Sequence, residues 1–174
     1  MHPVCLIASL DLRCMPLFLV RHAKAGKRSK WLDDSANNND DRKRPLDNKG
    51  ILQAVALADR LADFAPPRLL SSPFVRCMQT LETLGSNISV SVTPDERLAE
   101  DNSFEPMLEL LESCPDNSVL CSHGDMIPMV VEALERRGMV VTGMRDLRKA
   151  SVWVLERQNG VIARGHAWPP PPID

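Results

Sequence analysis

The sequence predicts an α/β fold, a three-layer αβα sandwich around a mostly parallel central sheet. Three observations point to it. Short apolar runs bounded by polar residues (16–20, 68–71 and 118–121) read as strands buried on both faces. Amphipathic stretches alternate with them, the order that gives a parallel sheet covered by helices. The chain, at 174 residues with 44% hydrophobic and 25% charged side chains, suits one domain. A domain of that size buries about two thirds of its unfolded surface, enough to fold without disulfides or metal. The five cysteines (Cys5, Cys14, Cys77, Cys114, Cys121) are odd in number and contain no CxxC pair. They read as reduced, buried thiols rather than a disulfide framework or a zinc site. A net charge of −2 argues against a nucleic-acid binder.

Residues 1–14 read as a disordered extension. Their apolar run, Val4 to Leu10, lacks a preceding basic residue and is too short for a signal core or a membrane span. The domain is expected over 15–167, followed by a proline-rich tail over 168–174. No membrane association and a cytoplasmic location are expected. The first strand is 16–20, and the polar stretch from Arg21 to Lys49 reads as a long surface loop of functional type. Asp47 is placed to cap a helix whose apolar face carries Ile51, Ala54, Val55, Ala58, Leu61 and Ala62, with Gln53 on the other side. Pro66 and Pro67 stop it. A strand follows over 68–71, then a helix with Pro73 at its first position, running to about Leu84. Alternation over 88–92 predicts a strand, and 104–112 a helix. The strand 118–121 leads into a helix over 125–137. Two strands, 151–155 and 161–164, flank the turn Gln158-Asn159-Gly160.

Two of the strands end in histidine motifs, Val20-Arg21-His22-Ala23 and Cys121-Ser122-His123-Gly124. A third ends in Ser71-Ser72-Pro73, with Arg76 one turn into the next helix. Sites in such sheets lie beyond the carboxyl ends of the strands, so Arg21, His22, Arg76 and His123 are expected to converge. Two guanidiniums, two imidazoles and helix N-termini suit a phosphoryl group, and a histidine there can act as nucleophile. Charge placement agrees. Between Arg21 and Lys49 stand nine Lys/Arg and five Asp, a net +4, which leaves −6 for the rest of the chain. A basic segment beside His22 would steer an anionic substrate.

These residues resemble the histidine phosphatase (phosphoglycerate mutase-like) superfamily. Arg21-His22-Ala23 stands where the family has Arg-His-Gly, and the segment from Ser72 to Thr80 is similar to its S-P-x-x-R-x-x-Q-T. Arg97-Leu98-Ala99-Glu100 resembles the segment bearing the acid, and Ser122-His123-Gly124 the second histidine. The segment from Arg44 to Gly50, Arg-Pro-Leu-Asp-Asn-Lys-Gly, looks most like the short SixA-like phosphohistidine phosphatase branch. The resemblance implies a phosphoglycerate mutase-like fold and the following roles. His22 is the nucleophile, and Arg21, Arg76 and His123 hold the phosphoryl oxygens. Glu100 protonates the leaving oxygen and then activates water. Ser72 and Arg44 join the substrate-binding set. It also implies no metal and no cofactor, since arginine and histidine supply the positive charge.

The expected activity is hydrolysis of a phosphate monoester or a phosphohistidine through a phosphohistidine enzyme intermediate. The expected partners are a phosphorylated small molecule or a phosphohistidine protein, not nucleic acid, and the expected state is a monomer or weak dimer. Only 23 residues separate Glu100 from His123, which leaves no room for the mutases' capping insertion and predicts an open, shallow site. Two alternatives stand beside this reading. One is a nucleotide or small-molecule phosphatase resembling the domain fused to Nudix hydrolases in actinobacteria. The other is an inactive phosphate-binding module.

Overall fold

The computed structural model describes residues 16–173, so the expected extension over 1–14 lies outside the described residues. At the centre, β1 (Leu17–Arg21) runs parallel to β4 (Val119–Ser122), in a register that sets Arg21 opposite Ser122. The residues that follow, His22 and His123, therefore leave the sheet side by side. On the far side of β4 lie β2 (Leu69–Ser71) and β3 (Val92–Pro94), both parallel to it. On the other side of β1, β6 (Val152–Gln158) is antiparallel and pairs with β7 (Val161–Trp168). A short strand that the sequence did not reveal, β5 (Val140–Thr142), closes that edge. The order β3-β2-β4-β1-β6-β7-β5 makes a mixed seven-stranded sheet.

Alternation along β1 divides the interior into two layers. Leu17 and Leu19 point into a core filled by α4 (Glu105–Ser113) and α5 (Met126–Arg136). Phe18 and Val20 point the other way, against α2 (Asn48–Ala62) and α3 (Val75–Ile88). The hairpin between β6 and β7 turns on Asn159 and Gly160, both at positive φ, as a tight two-residue turn requires.

Several elements depart from the sequence reading. Helix α2 is capped by Asp47, whose Oδ1 accepts the Gly50 N–H at 2.9 Å, but its buried face is rotated. Gly50, Gln53, Ala54, Leu57, Ala58 and Leu61 are inside, while Ile51 and Val55 are 54% and 42% exposed. Gln53 is buried because it serves the backbone: its Oε1 accepts the Lys24 N–H and its Nε2 donates to the Lys149 carbonyl. Helix α3 starts at Val75, two residues beyond Pro73, and runs to Ile88, so the strand expected over 88–92 begins only at Val92. Ser89, in the left-handed region, ends the helix.

The segment from 21 to 49 is not irregular. It holds α1 (Arg28–Asp33), two 3-10 turns and a bridge from Ala25 to Leu46. At the other end, β7 continues through Trp168, which packs on Phe18 and Phe64. Beyond it Arg60 donates to the Pro169 carbonyl and Pro171 is buried, so the proline run lies against the domain. Among the described residues no helix is long and apolar enough to cross a membrane. Cys77, Cys114 and Cys121 are free and buried.

Candidate active site

The chemistry-bearing residues gather at the carboxyl ends of β1, β2 and β4. His22 is 3% exposed, and its N–H bonds the Ser122 carbonyl at 3.0 Å, which ties it to the neighbouring strand. Its Nδ1–H donates to the Ala23 carbonyl at 2.8 Å. That bond fixes the tautomer and makes Nε2 the nitrogen that carries the lone pair. Burial, Lys149 and His123 together push the His22 imidazole down to about 2, against the pull of the Ala23 carbonyl, so the ring is neutral at physiological pH.

His123 stands with its ring centre 5.3 Å from that of His22. Ser72 Oγ lies 2.8 Å from its Nε2, and Glu100 Oε2 lies 3.3 Å from its Nδ1. Burial disfavours the charged ring, but the bonds to Cys77 and Glu100 outweigh it and raise the His123 pKa.

Arg76 is fully buried at the second position of α3, with Phe74 beneath it 4.5 Å from the guanidinium carbon. One end donates to the Asp41 carbonyl at 2.8 Å and lies 3.2 Å from that residue's carboxylate; the other donates to Glu100 at 2.8 Å. Glu100 thus sits between an imidazole and a guanidinium. The bond to His123 first, and then the charge of Arg76, hold its carboxyl well below the usual range against the effect of burial. Arg21 leaves the end of β1 and bonds the Leu147 carbonyl. Its guanidinium lies so close over Gly124 that a Cβ there would come within 2.5 Å of it. This contact gives the glycine after His123 a steric role.

The sequence-predicted residues divide accordingly. His22, His123, Ser72, Arg76 and Glu100 form one connected cluster, and Arg21 adjoins it through Gly124. Arg44 touches the cluster only indirectly. It pairs with Asp41 at 2.7 Å and donates to the Gly26 carbonyl at 2.6 Å, bracing the residue that holds Arg76. Two contributors were missed. Asp41 joins Arg28, Arg44 and Arg76, and reads in the sequence as one more acid in a charged loop. Lys149 places its Nζ 2.9 Å from His22 Nε2, across 127 residues of chain, with no local motif to announce it.

The segment ahead of α2 reaches the site: Arg28 lies 3.9 Å from Glu100, and Arg42 pairs with Glu96 at 2.6 Å.

Comparison with known proteins agrees with this geometry. The model of the histidine phosphatase superfamily (branch 1) matches residues 17–107. An 8-oxo-(d)GTP phosphatase of Mycolicibacterium smegmatis is 32% identical over 161 residues, which is 89% of this chain. The chain spans about half of that relative's length, 48%. The protein histidine phosphatase SixA, solved with tungstate, superposes with a TM-score of 0.65 at 22% identity, covering 88% of this chain and 94% of its own. A mycobacterial glucosyl-3-phosphoglycerate phosphatase superposes at 0.61 and 19% identity, covering 89% and 99%. Both solved structures share the fold. By the match over residues 17–107, which takes in Arg21, His22, Arg76 and Glu100, this chain belongs to the histidine phosphatase superfamily.

Proposed function

We propose that the protein is a metal-independent phosphatase that hydrolyses a phosphate monoester or a phosphohistidine by way of a phosphohistidine at His22. The observation that carries this reading is the state of His22: neutral, with Nδ1–H held by the Ala23 carbonyl and Nε2 facing a cluster of cations. Substrate enters with its phosphorus in line with Nε2. As the N–P bond forms, the bond to the leaving atom breaks (oxygen in an ester, nitrogen in a phosphohistidine), and that atom takes a proton from Glu100. Arg21, Arg76 and His123 offset the charge on the three remaining oxygens. Water then attacks phosphorus, Glu100 accepts its proton, and the electrons of the N–P bond return to Nε2.

Glu100 is ionised in the empty site because His123 and Arg76 hold it there. A dianionic phosphoryl group competes for both partners and raises the carboxyl pKa, which readies it to donate. Ser72 orients His123 through Nε2, and Arg44 acts through Asp41.

A nucleotide is the second substrate reading, and the relative from Mycolicibacterium smegmatis favours it. The test is phosphate release in EDTA from a phosphohistidine protein, a nucleoside diphosphate and p-nitrophenyl phosphate. The expected result is release that survives the chelator and falls by on the order of 10⁴-fold or more in His22→Ala. The fastest substrate assigns the class. Release that persists without His22 would overturn the proposal.

A further inference from the structure

We infer that Lys149 is a catalytic residue of this site, a phosphoryl-binding cation that covers the attacking nitrogen of His22 in the empty enzyme and transfers to a phosphoryl oxygen as substrate enters. The inference rests on His22 being the nucleophile. Since Nδ1 carries the proton and bonds the Ala23 carbonyl, Nε2 is an acceptor, and the Lys149 ammonium donates to it at 2.9 Å. The contact occupies the lone pair that must reach phosphorus. It has to be exchanged before the reaction, and the nearest acceptors to receive it are the oxygens of the incoming group.

The charges around Lys149 call for an anion. Among the described residues no carboxylate pairs with its ammonium. Of the groups that act on it, the cations Arg21, Arg76 and Arg44 disfavour the ammonium, and the buried Cys77 sulfur partly offsets them. On its other side it shares an open cleft of about 330 Å³ with Lys24, Lys49 and Arg148, lined also by the proline run at 170–172. Burial first, and then Arg21 and Arg76, bring the ammonium down to about 8. A half-buried cation among cations is unfavourable until a phosphoryl group supplies the opposite charge.

The backbone is built to hold this side chain in place. Ala150 is fully buried with φ at +66°, a left-handed conformation that is strained for a non-glycine residue. Its N–H points at the Arg21 and His22 carbonyls, at 3.2 and 3.4 Å. The Lys149 carbonyl in turn accepts from the buried Gln53. The turn that carries Lys149 is thus fastened to the strand end that carries the nucleophile, and strain of this kind concentrates at functional sites.

The experiment compares wild type, Lys149→Met and Lys149→Arg over pH 6–10, with binding of inorganic phosphate measured by calorimetry. In wild type, activity falls as pH rises through about 8, where the ammonium loses its proton. The expected result for Lys149→Met is a kcat/KM lower by about 10²-fold and weakened phosphate binding. Lys149→Arg recovers much of the activity and moves the alkaline limb upward, because a guanidinium does not titrate in this range. His123, Cys77, Lys24 and Lys49 are unchanged in all three proteins, so the displacement of the limb belongs to residue 149. An alkaline limb that stays put in Lys149→Arg, or phosphate binding unchanged in Lys149→Met, overturns the inference. If activity instead proves independent of His22, the nucleophile assignment fails, while the calorimetry still tests whether Lys149 binds phosphate.

Discussion

At the scale of single residues, the site denies each ionisable group its usual surroundings. His22 is kept neutral by burial among cations, Glu100 is kept ionised by His123 and Arg76, and His123 is kept basic by Glu100 and Cys77. Arg21 depends on a missing side chain. Because a Cβ on Gly124 would fall 2.5 Å from its guanidinium carbon, Gly124→Ala must displace it. A charge-assisted hydrogen bond contributes about 1.5–3 kcal/mol. The substitution should therefore raise KM by roughly 10- to 100-fold while the melting temperature changes little; steady-state kinetics beside a thermal melt checks this. Most of these residues were legible in the sequence, because histidine and arginine at strand ends have few other uses in combination. Lys149 and Asp41 were not. Their contributions depend on contacts across long stretches of chain, and lysine and aspartate in a charged sequence carry no distinguishing pattern.

At the scale of elements, the register of β1 on β4 does the positioning, since pairing Arg21 with Ser122 delivers both histidines to one edge. Helix α2 must then pass close to the segment leaving β1. Gly50 permits this: a Cβ there would meet the Lys24 carbonyl oxygen at 1.9 Å, a backbone atom that cannot step aside. Gly50→Ala should destabilise the fold by about 3 kcal/mol, in the range of overpacked sites, measurable by urea denaturation. An unchanged midpoint would contradict the close approach. The same approach explains why the rotation of α2 was misread. Apolar spacing alone favoured Ile51 and Val55 as inward residues, whereas the fold turns Gly50 and Gln53 inward, one for lack of bulk and the other to serve the Lys24 and Lys149 backbones. The order of strands and helices was readable from periodicity. The end of α3 and the three-residue strand β5 were not, because short edge elements are set by pairing partners rather than by their own residues.

At the scale of the whole molecule, the mixed sheet supplies two packed cores and one edge where function collects, and folding commits the protein to a buried neutral histidine. His22 has an ordinary value of 6.5 and is held down to about 2, so below pH 6.5 the unfolded chain takes up a proton that the folded protein cannot. Stability should fall by up to about 1.4 kcal/mol per pH unit between pH 6.5 and 5. His123 does not offset this, because a raised histidine pKa gives stability already complete below pH 6.5. The paired carboxylates Glu100, Asp47, Asp95 and Asp146 have depressed pKa values and lose their contributions only at more acid pH. Thermal melts over this window should show a steeper decline for wild type than for His22→Asn, and equal slopes would contradict the assignment.

If His22 is the proposed nucleophile, it carries the phosphoryl group during turnover. Quenching the enzyme in alkali while it turns over a phosphorylated substrate, and locating the phosphoryl group by mass spectrometry, tests this. The expected result is one acid-labile, alkali-stable phosphoryl group on His22, absent from His22→Ala. A phosphoryl group on another residue, or rapid turnover with none trapped on His22, would contradict it.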